Sequence, residues 1–280
     1  MSFTIDPALF GLEDAVALVT GAGQNIARGC ALKLARAGCH VAVVDMNTET
    51  GPRTVADIEA LGRRAVFIEA DVCDVGGVQH MVDETISRLG SLEVACNVVG
   101  NPGHAVKPLL DTTLDEWNRT LHRNLGSAFL GTKAEAIAMI ERRIPGRIIN
   151  FASSSGVVGA PTVADYGAAN AGVIHLTKSA AMELARYGIR VNCVVPGTHA
   201  REGQELSEFA QLAAKAPPLG RLGNADETAG VALFLASDLS SYVTGHAVFS
   251  DGGVVHTTAR PPVGLGMTAQ AVAHVDWTVA

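Results

Sequence analysis

Seven apolar runs of strand length recur along the chain, and helix-length stretches lie between them. The runs are AVALVT (15–20), HVAVVD (40–45), AVFIEADV (65–72), LEVACNVVG (92–100), RIINFA (147–152), IRVNCVVP (189–196) and HAVFSD (246–251). A strand that is apolar at nearly every position has both faces buried, which requires helices on both sides of a parallel sheet. The intervening segments carry the matching helical signals. Ile26–Ala37 is stopped by Gly38, a helix from about Thr48 to Leu61 by Gly62, and one from about Val75 to Leu89 by Gly90. Capping boxes open two more helices, Thr113 with Glu116 and Asn224 with Glu227. The first of these runs toward Arg143 with an interruption near Gly126, and a further helix spans Ala164 to Tyr187. No linker and no internal repeat divides the 280 residues. The expectation is an α/β, single-domain, Rossmann-like doubly wound parallel sheet of about seven strands with right-handed crossovers. Its core covers about residues 12–253, and 254–280 form a C-terminal extension.

Charge and composition remove several function classes. The formal net charge is −7 and no basic cluster stands out, which argues against a nucleic-acid partner. No run approaches the ~18 apolar residues of a membrane span. The N-terminal MSFTIDPALF lacks the basic flank and apolar stretch of a secretory signal, so a cytoplasmic location is expected. Cysteines 30, 39, 73, 96 and 193 are scattered without CxxC pairs, which reads as reduced, mostly interior thiols and no metal site.

In a doubly wound sheet the first strand-to-helix turn cradles a dinucleotide pyrophosphate, and TGAGQNIA (20–27) occupies that turn. Gly21 and Gly23 permit the tight turn and close backbone approach, and Gln24, Asn25 and Ile26 continue it into the helix. Asn25 stands where a glycine is usual, and asparagine tolerates left-handed backbone better than most residues. Asp45 ends the second strand, 24 positions after Gly21, where a carboxylate accepts hydrogen bonds from the adenosine ribose. Its charge repels a 2′-phosphate, and neither Gln24 nor Met46 supplies a cation to hold one. NAD is therefore the expected cofactor. Asp71-Val72 can cap the adenine, or Asp71 can close an Asx-turn.

A second constellation follows the fifth strand, in SSSGVVGAPTVADYGAAN (153–170). Ser153 sits at the strand end and Tyr166 thirteen positions later on the next helix, so a hydroxyl and a phenol can meet over one substrate atom. Asn170, one turn beyond the tyrosine, shares its face.

Taken in order, these pieces resemble the short-chain dehydrogenase/reductase family over about residues 12–253. The matching segments are TGAG at 20–23, Asp71-Val72, NVVG at 97–100, Asn124 in HRNLGSAF, Ser153, Tyr166, VNCVVPG at 191–197 and the closing SDLSSYVTGHAVFSDGG. The resemblance implies that Asn97 and Gly100 line the cofactor cleft and that Pro196, Gly197 and Thr198 lie beside the nicotinamide. It implies that Ser153 orients the substrate oxygen, that Tyr166 gives or takes its proton, and that Asn124 holds a relay water. It also implies a homotetramer or homodimer.

The family's usual pattern is Tyr-x-x-x-Lys, where the lysine lowers the phenol pKa by its charge and anchors the nicotinamide ribose; this chain has Tyr166-Gly-Ala-Ala-Asn170. Asparagine can still hydrogen-bond a ribose hydroxyl but brings no charge. Lys178 is ~12 Å further along the helix by rise, too far to substitute. Lys107 and His104, in the loop after the fourth strand, and His199, Arg201 and Glu202, after Pro196-Gly197, are further candidates for substrate contact. For Lys107 and His104 ordinary loop solvation is the favoured reading, and the other three either touch substrate or keep their segment soluble.

The expected function is NAD-dependent interconversion of a secondary alcohol and a ketone, with Tyr166 as general acid/base. Val157, Val158, Val163, Leu206 and Phe209 suggest an apolar small molecule as substrate, although such residues more often pack the core. The alternatives are a non-redox enzyme of the same fold that polarises a carbonyl with Ser153 and Tyr166, or a catalytically weak NAD-binding homologue.

Overall fold

The computed structural model describes residues 7–98, 100–103, 105–200 and 214–256. Seven parallel strands form one sheet: β1 (Val16–Thr20), β2 (His40–Asp45), β3 (Ala65–Glu69), β4 (Val94–Asn97), β5 (Arg147–Phe151), β6 (Arg190–Pro196) and β7 (Ala247–Ser250). Their spatial order is β3-β2-β1-β4-β5-β6-β7. The expected fold class is borne out. Chain order reverses between β1 and β4, and this switch point is where an open α/β sheet leaves a crevice at the carboxyl ends of its strands.

Alternation along each strand explains the two-sided burial. Ala17, Val19, Val41 and Val43 face one apolar layer, which includes Cys30, Leu34, Ile58 and Leu235. Those side chains come from α1 (Asn25–Arg36), α2 (Thr50–Ala60) and α7 (Ala225–Ala236). Val16, Leu18, Ala42 and Val44 face the other layer, with Met81, Val82, Met139 and Ala181. These come from α3 (Val75–Leu89), α5 (Ser127–Glu141) and α6 (Ala164–Leu184). At about 1.5–3 kcal/mol for each fully buried large aliphatic, this double layer is the main force holding the sheet's strand ends in place.

Several element boundaries have a local reason that the structure shows. The third strand stops at Glu69, because Asp71 turns the chain: its Oδ1 accepts from the Cys73 amide at 2.9 Å. The helix begun at Thr113 is α4 (Leu114–Leu121), and its interruption is a π-helical turn, His122–Gly126, that joins it to α5. Such one-turn widenings recur at functional sites. The helix from Ala164 ends at Leu184, and Ala185–Tyr187 tighten into a 3₁₀ turn before Gly188. Both capping boxes are present. Among the described residues no helix is long and apolar enough to cross a membrane.

Candidate active site

A cleft of about 640 Å³ opens at the switch point, between the carboxyl ends of β1, β2, β3 and β4. Gly21, Gln24, Asn25, Ile26, Asp45, Asp71, Val72 and Gly100 line it. The turn after β1 is held in shape by its own backbone. Gly21 and Asn25 both adopt left-handed conformations, φ +69° and +50°, so the asparagine does take the role expected of it. Gly23 does not line the cleft but supports the turn. Its amide donates to Asp45 Oδ2 at 2.8 Å, and a Cβ built there would collide with that oxygen and with Thr50 Oγ1. The other Asp45 oxygen accepts from the Asn47 amide at 2.9 Å. The strand-end carboxylate therefore fixes the loop and faces the cleft at once.

Helix α1 begins at this turn with no side-chain cap from Gln24. Its first amides thus lack the partner that a capped helix supplies, and a phosphate group is the natural acceptor. The uncapped helix start and the glycine-built cradle together fit a dinucleotide.

Asn97 lies elsewhere than expected. Its side chain turns into the interior, where Nδ2 donates to Glu135 Oε2 at 3.0 Å and to Asn150 Oδ1 at 3.1 Å. The cleft wall after β4 is instead Val98, Gly100, Asn101 and Gly103. Asn124, in the π turn, is buried and donates Nδ2 hydrogens to the carbonyls of Asn101 (2.9 Å) and Thr120 (2.8 Å). It clamps that wall onto α4. Glu135 is fully buried, and burial raises its carboxyl pKa from 4.5 to about 7 against the opposing hydrogen bond from Asn97.

Ser153 and Tyr166 come together outside the cleft's own lining, at the end of β5 and the first turn of α6. Two glycines make this possible. The short turn Ser154–Gly156 lies so close to α6 that a Cβ on Gly156 would fall 2.6 Å from the Ala171 nitrogen. A Cβ on Gly167 would fall 2.8 Å from the Ser155 carbonyl oxygen. Burial raises the Tyr166 phenol pKa, and hydrogen bonding from Ser153 and Asn170 opposes that rise. Asn170 is 3% exposed and donates Nδ2 to the Tyr166 carbonyl at 2.8 Å, folding back onto its own helix. Both side chains acting on the phenol are neutral.

The candidate cations and loop residues resolve differently. Lys107 Nζ is held by Glu116 at 2.6 Å, and its amide donates to the Thr162 carbonyl at 3.1 Å. It ties the loop after β4 to the loop before α6 and offers no free ammonium to substrate. His199 acts as a latch: Nδ1 meets the Gly197 carbonyl at 2.8 Å and Nε2 the Thr228 hydroxyl at 2.6 Å. A carbonyl only accepts, so Nδ1 carries the proton. With burial lowering its pKa, the neutral ring then accepts from Thr228 through Nε2. The latch holds the Pro196-Gly197-Thr198 segment against α7, and the Gly197 amide donates to the Ser250 carbonyl at 3.0 Å. Val157 and Val158, just after the short turn that follows Ser153, are exposed. His104, Arg201, Glu202, Leu206 and Phe209 lie outside the described residues.

The cleft also contains residues that sequence reasoning missed. Arg119, His122 and Arg123 line it, so a basic cluster exists where none stood out. Their i, i+3, i+4 spacing was the available signal, since it places them on one face of a helix.

This architecture agrees with known proteins. The family described as Enoyl-(Acyl carrier protein) reductase matches residues 21–255. A short-chain type dehydrogenase/reductase from Mycobacterium marinum superposes with a TM-score of 0.83 at 35% identity, covering 90% of this chain and 100% of its own. The chain belongs to the short-chain dehydrogenase/reductase family. Within that family it is 36% identical over 242 residues to a 2,5-dichloro-2,5-cyclohexadiene-1,4-diol dehydrogenase of Sphingobium indicum, covering 84% of this chain and 95% of that one. An NAD+-bound xylitol dehydrogenase structure superposes with a TM-score of 0.81 at 34% identity, covering 86% and 99% of the two chains. As a short-chain dehydrogenase/reductase it is an oxidoreductase of alcohol- or ketone-type substrates.

Proposed function

We propose that the protein interconverts a secondary alcohol and a ketone on an apolar small molecule, with NAD as its cofactor and Tyr166 as the proton donor and acceptor. The observation that carries this reading is the pairing of Ser153 with Tyr166 at the end of β5, the strand next to β4, beside a switch-point cleft that the carboxylate of Asp45 lines. Bound nicotinamide supplies or removes the hydride at carbon. In this reading the chain's own residues handle the oxygen: the Ser153 hydroxyl orients it and the Tyr166 phenol exchanges its proton. The turn at Gly21–Ile26 holds the pyrophosphate, Asp45 the adenosine ribose, and Asp71-Val72 the adenine. Gly100 keeps the wall thin, since a Cβ there would meet Asn124 Oδ1 at 2.5 Å. Pro196, Gly197 and Thr198 border the nicotinamide, and Asn124 supports the relay. Asn97 supports the strand end from within.

With only neutral groups on a phenol whose pKa is raised, Tyr166 stays protonated near neutral pH. That state suits proton donation during ketone reduction and makes alcohol oxidation an alkaline reaction. The relatives' names as dehydrogenases, and the NAD+ named for one of them, support the redox reading over carbonyl polarisation without hydride transfer. The test is turnover of NADH and NADPH with a panel of cyclic and acyclic ketones, and of NAD with the matching alcohols. Reduction with NADH near neutral pH is expected. No nicotinamide turnover with any member of the panel, in wild type and in an Asn170→Lys variant, overturns it.

A further inference from the structure

Arg119, His122 and Arg123 form one basic wall of the cleft, facing the acidic strand ends at Asp45 and Asp71. All three are exposed, and among the described residues neither arginine has a carboxylate partner within ion-pair distance. Arg123 is nevertheless fixed. Its Nη1 donates to Asn101 Oδ1 at 3.1 Å, and that oxygen also accepts from the Gly103 amide at 2.9 Å. A guanidinium at the cleft wall that is braced in this way loses less conformational freedom when it meets a ligand. The charge of Arg123 is felt at Cys73, which follows Asp71-Val72 on the facing wall. Among the described residues no ion pair joins Asp45 or Asp71 to this wall; Asp45 accepts from the Gly23 and Asn47 amides and Asp71 from the Cys73 amide.

Asp71-Val72-Cys73 and this braced guanidinium line the same cleft, and a guanidinium attracts a planar, electron-rich ring. Resting on the dinucleotide reading above, we propose that Arg123 is a cofactor-binding residue: its guanidinium stacks on the adenine, Asn101 holds it there, and Arg119 adds long-range attraction for the anionic cofactor. In a chain of net charge −7, unpaired cations concentrated inside one cleft provide the local attraction that the overall charge opposes.

Fluorescence titration of the full chain with NADH, 5′-AMP competition and titration with reduced nicotinamide mononucleotide test this directly. Arg123→Ala should weaken NADH and AMP about tenfold, in the range of a stacking or cation–π contact. It should leave the mononucleotide, which lacks adenosine, unchanged. Arg123→Lys should recover little, because an ammonium does not stack as a plane. Asn101→Ala, which only releases the brace, should give a smaller loss in the same direction. Arg119→Ala should flatten the salt dependence of NADH binding and converge with wild type at high salt. An Arg123→Ala protein with native circular dichroism that binds NADH within twofold of wild type overturns the proposal, as does an equal loss for the mononucleotide. If wild type binds NADH, the cofactor reading stands whichever way Arg123 behaves; if wild type binds no adenine nucleotide at all, both fall.

Discussion

At the proposed cofactor end of the molecule the groups in question are mostly backbone: the turn at Gly21–Asn25, the first amides of α1, and a carboxylate, Asp45, held by two amides of its own neighbourhood. At the proposed catalytic end they are three side chains, Ser153, Tyr166 and Asn170, brought together by glycine contacts between a short turn and α6. The first arrangement is preorganised by hydrogen bonds that exist whether or not a ligand is bound. The second depends on the protonation of one phenol and therefore on charge in its surroundings. Binding and turnover in this protein should accordingly respond to different substitutions.

The largest expected separation comes from Tyr166→Phe. Loss of the proton-exchanging hydroxyl should cut turnover by about 10²–10⁴-fold while NADH binding stays within a few-fold of wild type. Steady-state rates and fluorescence titration on the same preparation check both halves. A parallel loss of binding would mean that the two ends are not separable.

Asp45→Ala attacks the other end. Removing a charged acceptor that also fixes the Gly23 and Asn47 amides should weaken NADH about tenfold, the cost of one charge-assisted hydrogen bond. Because the repulsion of a 2′-phosphate also disappears, NADPH should gain relative to NADH. A ratio of the two affinities that does not move would remove Asp45 from cofactor choice.

The contrast also explains what was legible in the sequence. Alternating apolar runs fix strands that are buried on both faces, so the sheet, the switch point and the residues at strand ends could be read directly. Asn25 was readable for the same reason, since its left-handed backbone is a local property. Asn97 was not: which way a strand-end side chain turns depends on the helix beneath it, here the one carrying Glu135. His199 and Lys107 looked like candidate substrate contacts, but their partners, Thr228 and Glu116, lie on helices that the fold brings alongside. The basic wall at Arg119, His122 and Arg123 was hidden by counting charge along the chain instead of around a helix.

A smaller effect should leave both ends untouched. Glu135 is buried, with Oε1 unpartnered among the described residues and its pKa raised to about 7. Between 4.5 and 7 the folded chain retains a proton that the unfolded chain has released. Stability therefore falls as pH rises through that window and is level above it, a total of about 3 kcal/mol at most. Glu135→Gln keeps an acceptor for Asn97 without the charge, so that slope should vanish and the variant should be the more stable at pH 8. Urea midpoints at pH 5 and pH 8 measure it, and an unchanged slope in the variant would assign the pH dependence to another group.

The central claim is that this site holds a working Ser–Tyr pair whose phenol has only neutral help. Its most direct test is the pH dependence of NAD-linked alcohol oxidation in wild type and in Asn170→Lys. With a cation beside the phenol, the rise in rate should move to lower pH and turnover near neutral pH should increase by tenfold or more, because a nearby ammonium stabilises the phenolate. An Asn170→Lys profile that superimposes on wild type, in both rate and pH, would contradict the account.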